Sequence, residues 1–380
     1  MTRSGTATSL VTMASGVSLA VIPAASVSIA ARLFTEQEQG VVAVAIMTAT
    51  FCGQLLFAGV IESRLASSLT ERRVVMPRWL AAAAVLAAAL LAVLPPSVLL
   101  VCLALPVLLA ALEIGRGVSI AERLDRREWV AGMAVGLGAI GGVAAGFAEQ
   151  QWAFAPLAAG ILIATALRAL RVGHRASAPD RRARRWVLAD TAVTGAVYPL
   201  LNAMILGSLG AANAVQFTAI ATVSGLLAIP LNFLRLRLLK EHSTLDIAVS
   251  AAAVVGAVLA LVVAHLSGAF GLLFGSAWSG SDLLLALLLA CAWRAGSLAT
   301  TVPFAALRRG SAVRLVTALR AGVSLLTFGA AVLGILVGGL VPVFAGLIVA
   351  ELLSAVVYDS ARRRVELSSP SADTAPERPA

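Results

Sequence analysis

The chain has 380 residues, of which 60% are hydrophobic and only 13% are charged. A soluble domain usually carries about 25% charged residues and could not bury this much apolar surface, so the composition argues against a soluble enzyme and against a largely disordered chain. The formal net charge of +10 would suggest nucleic-acid binding in a soluble protein, but in a membrane protein it is typical of basic residues at the cytoplasmic ends of helices.

Apolar stretches long enough to cross a bilayer recur along the whole chain. They predict an all-α polytopic membrane protein with about twelve transmembrane helices, at residues 8–31, 40–61, 78–94, 97–115, 129–147, 152–170, 186–207, 213–234, 246–266, 282–305, 313–336 and 339–358. The first stretch has features of a secretory signal, but its apolar run is about twice as long as a signal core, so we expect it to remain as a membrane helix.

Basic residues are concentrated in alternate loops, at 64–78, 116–127, 168–185, 235–240, 308–314 and 362–364. The other set of loops contains a single basic residue, Arg32. The positive-inside rule therefore places the basic loops in the cytoplasm and predicts a multi-pass protein of the cell membrane with both termini cytoplasmic. That topology requires an even number of spans, in agreement with twelve.

The most basic interior segment divides the predicted spans six and six. It predicts an N-terminal six-helix lobe at 1–170, a basic cytoplasmic linker at 171–185 and a C-terminal six-helix lobe at 186–358. The tail at 359–380, rich in Ser, Pro and Ala, is predicted to be disordered in the cytoplasm. Residues 31–50 and 207–227 share a pattern, in which a long helix ends in a short polar turn and a helix rich in small residues follows. Because each half has an even number of spans, the halves are predicted to be parallel repeats.

Three turns resemble those of a known family. Residues 32–40 (RLFTEQEQG) resemble the arginine–leucine, acidic, glycine turn after the first helix of the polysaccharide-transporter (Wzx-like) lipid-linked oligosaccharide flippases, in the multidrug/oligosaccharidyl-lipid/polysaccharide exporter superfamily. Residues 207–217 resemble that family's turn after helix seven, although Gln216-Phe217 stands where glycine–tyrosine is usual. Residues 272–278 (LLFGSAW) are similar to its outer turn before helix ten.

The resemblance implies two six-helix lobes around a central cavity and a transporter, not an enzyme. The implied activity is the flipping of a lipid-linked oligosaccharide or polysaccharide precursor from the inner to the outer leaflet by alternating access. The implied partners are this glycan substrate, membrane lipids and enzymes of glycan synthesis. We expect no nucleic acid and no cofactor.

Polar residues inside spans are rare and expensive, so they are the candidates for function. The substrate-binding candidates are Arg294, Arg32, Arg64, Arg235, Arg237, Asn202 and Gln54. Arg294 lies deepest, and it is either a cavity cation that contacts a phosphate or sugar or a structural residue held by a buried acid or by helix carbonyl groups. Arg32 belongs to an outer gate or to helix packing, and the three arginines at cytoplasmic ends are anchors or a phosphate collector at the inner mouth. Asn202 and Gln54 also fit hydrogen bonding between helices.

Three acids are candidates for coupling or gating. Glu351 is either a proton-coupling acid or the ion-pair partner of Arg294 or Arg320. Asp190 fits a cavity gate, a helix start or a salt bridge, and Glu113 lies within one turn of a cytoplasmic end, where an interfacial role is the alternative.

Two other functions stay open. A cation-coupled multidrug exporter of the same fold would use membrane acids for coupling, but the first six spans hold only Glu113 well inside. A membrane-embedded glycosyltransferase or polymerase would need catalytic groups in a large outer loop, and the outer loops are short. No nucleotide-binding loop, metal motif or nucleophile–base pattern occurs in the sequence, and the three cysteines show neither disulfide nor metal spacing, so no catalytic residue and no metal site are predicted.

Overall fold

The computed structural model describes residues 20–63, 76–121, 125–169, 181–228, 244–309 and 313–368. These ranges contain helices and turns and no β-strand. The helices in chain order are α1 (Ala20–Leu33), α2 (Glu36–Phe57), α3 (Arg78–Val93), α4 (Val98–Ala121), α5 (Asp125–Phe147), α6 (Phe154–Ala169), α7 (Arg181–Gly195), α8 (Val197–Leu209), α9 (Ala211–Ser224), α10 (Thr244–Leu266), α11 (Ala269–Phe274), α12 (Leu283–Arg309), α13 (Val313–Val337) and α14 (Leu340–Ser368).

Within the described ranges, eight helical segments are long and apolar enough to cross a bilayer, with α7 and α8 together forming one of them. The shorter apolar helices α1, α3, α6 and α9 coincide with the other four predicted spans. Every predicted span therefore contains a helix, and the prediction of an all-α polytopic membrane protein is confirmed. Residues 8–19 of the first predicted span lie outside the described residues.

Helices extend into two segments that were predicted to be irregular. The last helix, α14, continues to Ser368, so the prediction of disorder was wrong for residues 359–368. Asp359 pairs with Arg362 at 2.9 Å and with Arg363 at 2.8 Å, and such pairs one turn apart stabilise a helix. Likewise α7 starts at Arg181, inside the predicted linker, because the Arg- and Ala-rich run favours a helix and no Gly or Pro interrupts it before Gly195. Residues 170–180 and 369–380 lie outside the described residues.

The span formed by α7 and α8 is broken at Ala196. Pro199 follows three residues later and has no N–H, so it cannot donate to the carbonyl of Gly195 one turn earlier. The backbone of Ala196 itself keeps a helical conformation, so the interruption is limited to one residue between the two helices. The second predicted span also ends irregularly, since α2 continues into a π-helical turn at Ala58–Glu62.

The described helices pack mainly within the two halves of the chain. In the first half α2 packs against α4, α5 against α6, and α4 against α3 and α6. In the second half α14 packs against α12 and α13, and α8 packs against α9 and α13. The exact extents of the two lobes remain a prediction.

The two halves meet chiefly where α2 packs on α8 and α9. A Cβ atom on Gly40 of α2 would lie 2.8 Å from the Cβ of Ala211 and 2.8 Å from a methyl carbon of Leu206, so only glycine allows this approach. We call the end of the bundle that carries the turns at 33–36, 148–153, 209–211 and 267–282 the Arg32 end. The halves are also in contact there, through α1 and the 267–282 turn.

Candidate functional site

A cavity of about 300 Å³ lies among α8, α12, α13 and α14. Its wall combines charged, hydroxyl-bearing and aromatic side chains. They are Tyr198, Trp293, Arg294, Ser297, Thr300, Thr301, Phe304, Arg320, Glu351, Ser354 and Tyr358, with Ala228 and Val323. Ligand sites in proteins are typically cavities in which aromatic side chains surround a few converging polar groups.

Helical spacing brings these side chains together. On α14, Glu351, Ser354 and Tyr358 follow one another at three and four residues, so they share one face of the helix. On α12, Arg294, Ser297 and Thr301 repeat the same spacing. Because α12 and α14 pack against each other, the two polar faces meet at the cavity.

Arg294 occupies the middle of α12. Its guanidinium carbon lies 4.2 Å from the centre of the Trp293 ring and 5.4 Å from that of Tyr198. Its Nε is buried and has no hydrogen-bond partner among the described residues. No carboxylate of the described residues lies within 4.0 Å of its guanidinium. The aromatic rings therefore hold a cation at the cavity wall without neutralising it.

Glu351 faces the same cavity from α14. Its Oε1 accepts a hydrogen bond of 2.7 Å from the hydroxyl of Thr300 on α12. Neither of the ion pairs considered for it in the sequence is formed: Arg294 is beyond 4.0 Å, and Arg320 pairs with a different acid. Arg294 and Glu351 are therefore opposite charges that line one cavity without pairing.

Asp190 of α7 is the acid that pairs with Arg320 of α13. The two side chains are about one quarter exposed, at 22% and 27%, so the pair stands at the edge of the cavity. Arg320 also lies over the ring of Phe304 at 5.9 Å. The structure thus shows Asp190 in a salt bridge that joins α7 to α13.

Asn202 and Gln54, which were substrate-binding candidates, lie outside the cavity. Asn202 is completely buried, and its side-chain amide donates a hydrogen bond of 2.7 Å to Thr218, so it links α8 to α9. Gln54 is exposed on α2, and a Cβ atom on Gly195 would lie 3.2 Å from its side-chain oxygen. Gln54 thus faces the break between α7 and α8, where the two halves meet.

Arg32 is far from the cavity, at the Arg32 end. Its guanidinium donates a hydrogen bond to the carbonyl of Leu272 and lies over the ring of Phe147 at 4.4 Å. Next to it, the hydroxyl of Ser28 donates to the carbonyl of Leu273 at 2.7 Å. These bonds join α1 of the first half to the 267–282 turn of the second half.

Glu113 is partly exposed on α4 and packs against α2, where a Cβ atom on Gly53 would lie 3.3 Å from its Cγ. It is also outside the cavity. The arginines at 64, 235 and 237 lie outside the described residues. Of the candidates from the sequence, the structure therefore brings Arg294 and Glu351 to one cavity and places Asp190 at its edge.

The sequence analysis missed one buried ion pair, between Glu128 of α5 and Arg168 of α6. The guanidinium of Arg168 donates to the two carboxylate oxygens of Glu128 at 2.9 Å and 2.6 Å, and the side chains are 0% and 4% exposed. Both residues stand in basic runs near predicted span ends, so the charge pattern indicated a solvated loop. It also missed Thr300, for which the sequence offers no signal.

No protein-family model matches the chain, and no curated protein sequence matches it. Solved structures of MATE transporters do match over almost their whole length. A MATE transporter in complex with MaL6 has 14% sequence identity and a TM-score of 0.54, with 95% of this chain and 96% of that chain covered. An inward-facing multidrug resistance MATE family transporter of the MOP superfamily has 14% identity and a TM-score of 0.53, with 96% of each chain covered. An outward-facing one has 13% identity and a TM-score of 0.50, again with 96% of each chain covered. The chain therefore has the MATE fold.

Proposed function

We propose that this chain is a membrane transporter that moves a lipid-linked, anionic glycan precursor from the inner to the outer leaflet by alternating access. The MATE fold supports the transporter class, because solved structures of this fold include both inward-facing and outward-facing conformations. The charge of the loops supports an orientation with the Arg32 end outside and both termini in the cytoplasm of a cell. Membrane lipids and enzymes of glycan synthesis are the proposed partners.

Arg294 is the observation that carries the choice of substrate. An arginine in the middle of a membrane span is costly unless an anion or carbonyl groups compensate it, and no described carboxylate does so. A phosphate group suits the planar guanidinium, which donates two parallel hydrogen bonds to it. The hydroxyl groups of Ser297, Thr300 and Thr301 around it supply partners for the hydroxyl groups of a sugar.

A lipid-linked glycan needs such a cavity because its head group cannot cross hydrocarbon unaided. Each unpaired polar group costs several kcal/mol in the bilayer core. The cavity replaces water with fixed hydrogen-bond partners, while the lipid tail of the substrate stays in the bilayer.

The test is a flipping assay in proteoliposomes with a fluorescent lipid-diphosphate-linked oligosaccharide, whose exposure is read with a membrane-impermeant quencher. Arg294→Gln should slow flipping about tenfold to hundredfold, the range expected for a lost charged hydrogen bond. Arg294→Lys, which keeps the charge, should retain part of the rate. The control is Arg363→Gln, because Arg363 is 71% exposed at the end of α14 and should not affect flipping.

Two outcomes of this assay contradict the proposal. If the wild-type chain flips no lipid-linked glycan of any anionic class, the substrate assignment is wrong. If Arg294→Gln flips as fast as Arg363→Gln, the cavity cation does not contact the substrate, and the argument from Arg294 fails even where flipping is observed.

A second candidate function, cation-coupled export of multiple drugs, is favoured by Glu351. Its carboxylate accepts a hydrogen bond from Thr300 but has no ion-pair partner among the described residues, so it can take up a proton or a cation. Two of the similar structures are themselves named multidrug resistance transporters. Efflux of a cationic dye that is abolished by Glu351→Gln but unaffected by Arg294→Gln would favour this function over glycan flipping.

A further inference from the structure

The 267–282 turn at the Arg32 end is built around a cluster of aromatic side chains. Trp278 is 8% exposed, and the centre of its ring lies 4.9 Å from that of Phe270 and 5.5 Å from that of Phe274. Its indole N–H donates a hydrogen bond of 3.1 Å to Nδ1 of His265, the residue just before the end of α10. This bond ties the start of the turn to its far end.

The same turn supplies the acceptors of the contact between the two halves. The carbonyl groups of Leu272 and Leu273 accept hydrogen bonds from Arg32 and Ser28 of α1. Both acceptors are backbone atoms, so their positions depend on the shape of the turn. A change that loosens the turn therefore loosens the contact between the halves at this end.

The chemistry of the Trp278–His265 bond makes it sensitive to protons. An indole N–H only donates, so the imidazole nitrogen that faces it must carry no proton. An imidazolium ring carries protons on both nitrogens, and the two N–H groups would then face each other. Histidine is the side chain whose charge generally changes near neutral pH, and His265 is partly exposed at the Arg32 end.

No carboxylate of the described residues lies within 4.0 Å of the ring nitrogens of His265. Two charged groups lie on elements packed around the turn: Arg32 on α1 and Asp282 just before α12. Neither forms a hydrogen bond or an ion pair with the imidazole. From α9 the turn meets Gln216, which is neutral and donates to the carbonyl of Ser279 at 3.2 Å. Protonation of His265 thus removes the bond from Trp278, and no described carboxylate stands within ion-pair distance to replace it.

We propose that His265 is a proton-sensitive element that controls closure at the Arg32 end. With a neutral imidazole, Trp278 is held, the turn keeps its shape and the halves stay joined through Arg32 and Ser28. With an imidazolium, the turn loosens and the equilibrium shifts towards separation of the halves at this end. The proposal rests on the proposed function only in so far as opening at this end is part of transport.

The experiment measures the distance between the halves at this end by pulsed electron paramagnetic resonance on the full chain in lipid nanodiscs. Spin labels are placed at Gln37→Cys and Ser281→Cys, both on exposed residues, with the three native cysteines replaced by alanine. Spectra are taken at about pH 8 and about pH 5, on either side of the range in which imidazole takes up a proton. The population of molecules with the longer distance, relative to the population with the shorter one, should rise about fivefold at the lower pH, the effect of one typical hydrogen bond.

Two variants separate the proposed bond from other effects of acid. His265→Asn keeps a side-chain oxygen near the position of Nδ1 and cannot be protonated in this range, so its distances should stay short at both pH values. Trp278→Phe keeps a ring in the cluster and removes the donor, so its distances should be longer than in the parent chain at about pH 8 and unchanged by acid. Unchanged distances in the parent chain, or an equal response to acid in His265→Asn, would overturn the proposal.

A glycan-flipping measurement on the same variants distinguishes failure of this proposal from failure of the proposed function. If the chain flips glycan but the distance between the spin labels does not change with pH, the proposed function stands and the role proposed for His265 is wrong. A distance change that depends on His265, in a chain that flips no glycan, would support the proton-sensitive closure and contradict the substrate assignment.

Discussion

The buried pair between Glu128 and Arg168 allows a sharp test of how charge stabilises the first half of the bundle. Three variants are needed: Glu128→Met, Arg168→Met and the two substitutions combined. The first leaves a buried guanidinium without its anion, and the second leaves a buried carboxylate without its cation. The double substitution removes both charges and fills the space with flexible apolar side chains.

The expected magnitudes follow from the burial of the pair. The side chains are 0% and 4% exposed, and the guanidinium donates two hydrogen bonds, of 2.9 Å and 2.6 Å. Breaking a buried pair of this kind from one side costs about 3–5 kcal/mol of the free energy of unfolding, whereas replacing both partners by apolar groups is often nearly neutral. We therefore expect each single substitution to destabilise the protein by ~3 kcal/mol or more and the double substitution by ~1 kcal/mol.

The assay is equilibrium unfolding in mixed detergent micelles, followed by circular dichroism, for the parent chain and the three variants. The double-mutant cycle then gives the coupling energy between residues 128 and 168. The control is Arg363→Gln, which breaks an ion pair with Asp359 at the exposed end of α14 and should leave the free energy of unfolding almost unchanged. If the effects of the two single substitutions simply add up in the double variant, burial does not couple the two charges, and the reasoning is wrong.

Two further predictions concern packing between helices. Gly40→Ala places a Cβ atom 2.8 Å from the nearest α9 side-chain atom and should lower the free energy of unfolding by about 1–3 kcal/mol. Gly136→Ala is the control, because a Cβ atom there has no other atom within 4 Å, and it should be neutral or slightly stabilising. Thermal unfolding of both variants in detergent checks this. Thr218→Val removes the hydrogen-bond acceptor of the buried Asn202 amide and should lower the free energy of unfolding by about 1–3 kcal/mol. Thr327→Val is the control, because the Thr327 hydroxyl only donates to its own helix, and it should lower the free energy of unfolding less. Equal losses of stability for the two variants in detergent would contradict this account.

The membrane helices could be predicted from the sequence because the bilayer sets a minimum apolar length. The failures occurred where length gave no information. Residues 359–368 are polar, so they were predicted as a tail, yet charge pairs one turn apart continue the helix through them. The break at Ala196 within one apolar span was signalled only by Pro199.

The pairing of charges could not be predicted, and the reason is geometric. Asp190 and Arg320 are 130 residues apart, and Glu128 and Arg168 are 40 apart. Which face of a membrane helix meets its neighbour depends on small residues and local packing, because lipid and protein are almost equally apolar. The sequence therefore identified Arg294, Glu351 and Asp190 as charges inside the spans, but it gave no information on which charges neutralise each other.

That distinction matters most at the cavity beside α12. A charge that is already paired in the structure, such as Asp190, needs no further partner, and removing it would first of all destabilise the contact of α7 with α13. Arg294 and Glu351 differ from Asp190, because no ion pair compensates the loss of water around either charge. The two residues line the same cavity, but more than 4.0 Å separates their charged groups. An anionic substrate can satisfy Arg294 and a proton or cation can satisfy Glu351, each without displacing the other. In either proposed function, a charge bound at one of the two groups would change the electrostatic potential at the other, because both line the same cavity.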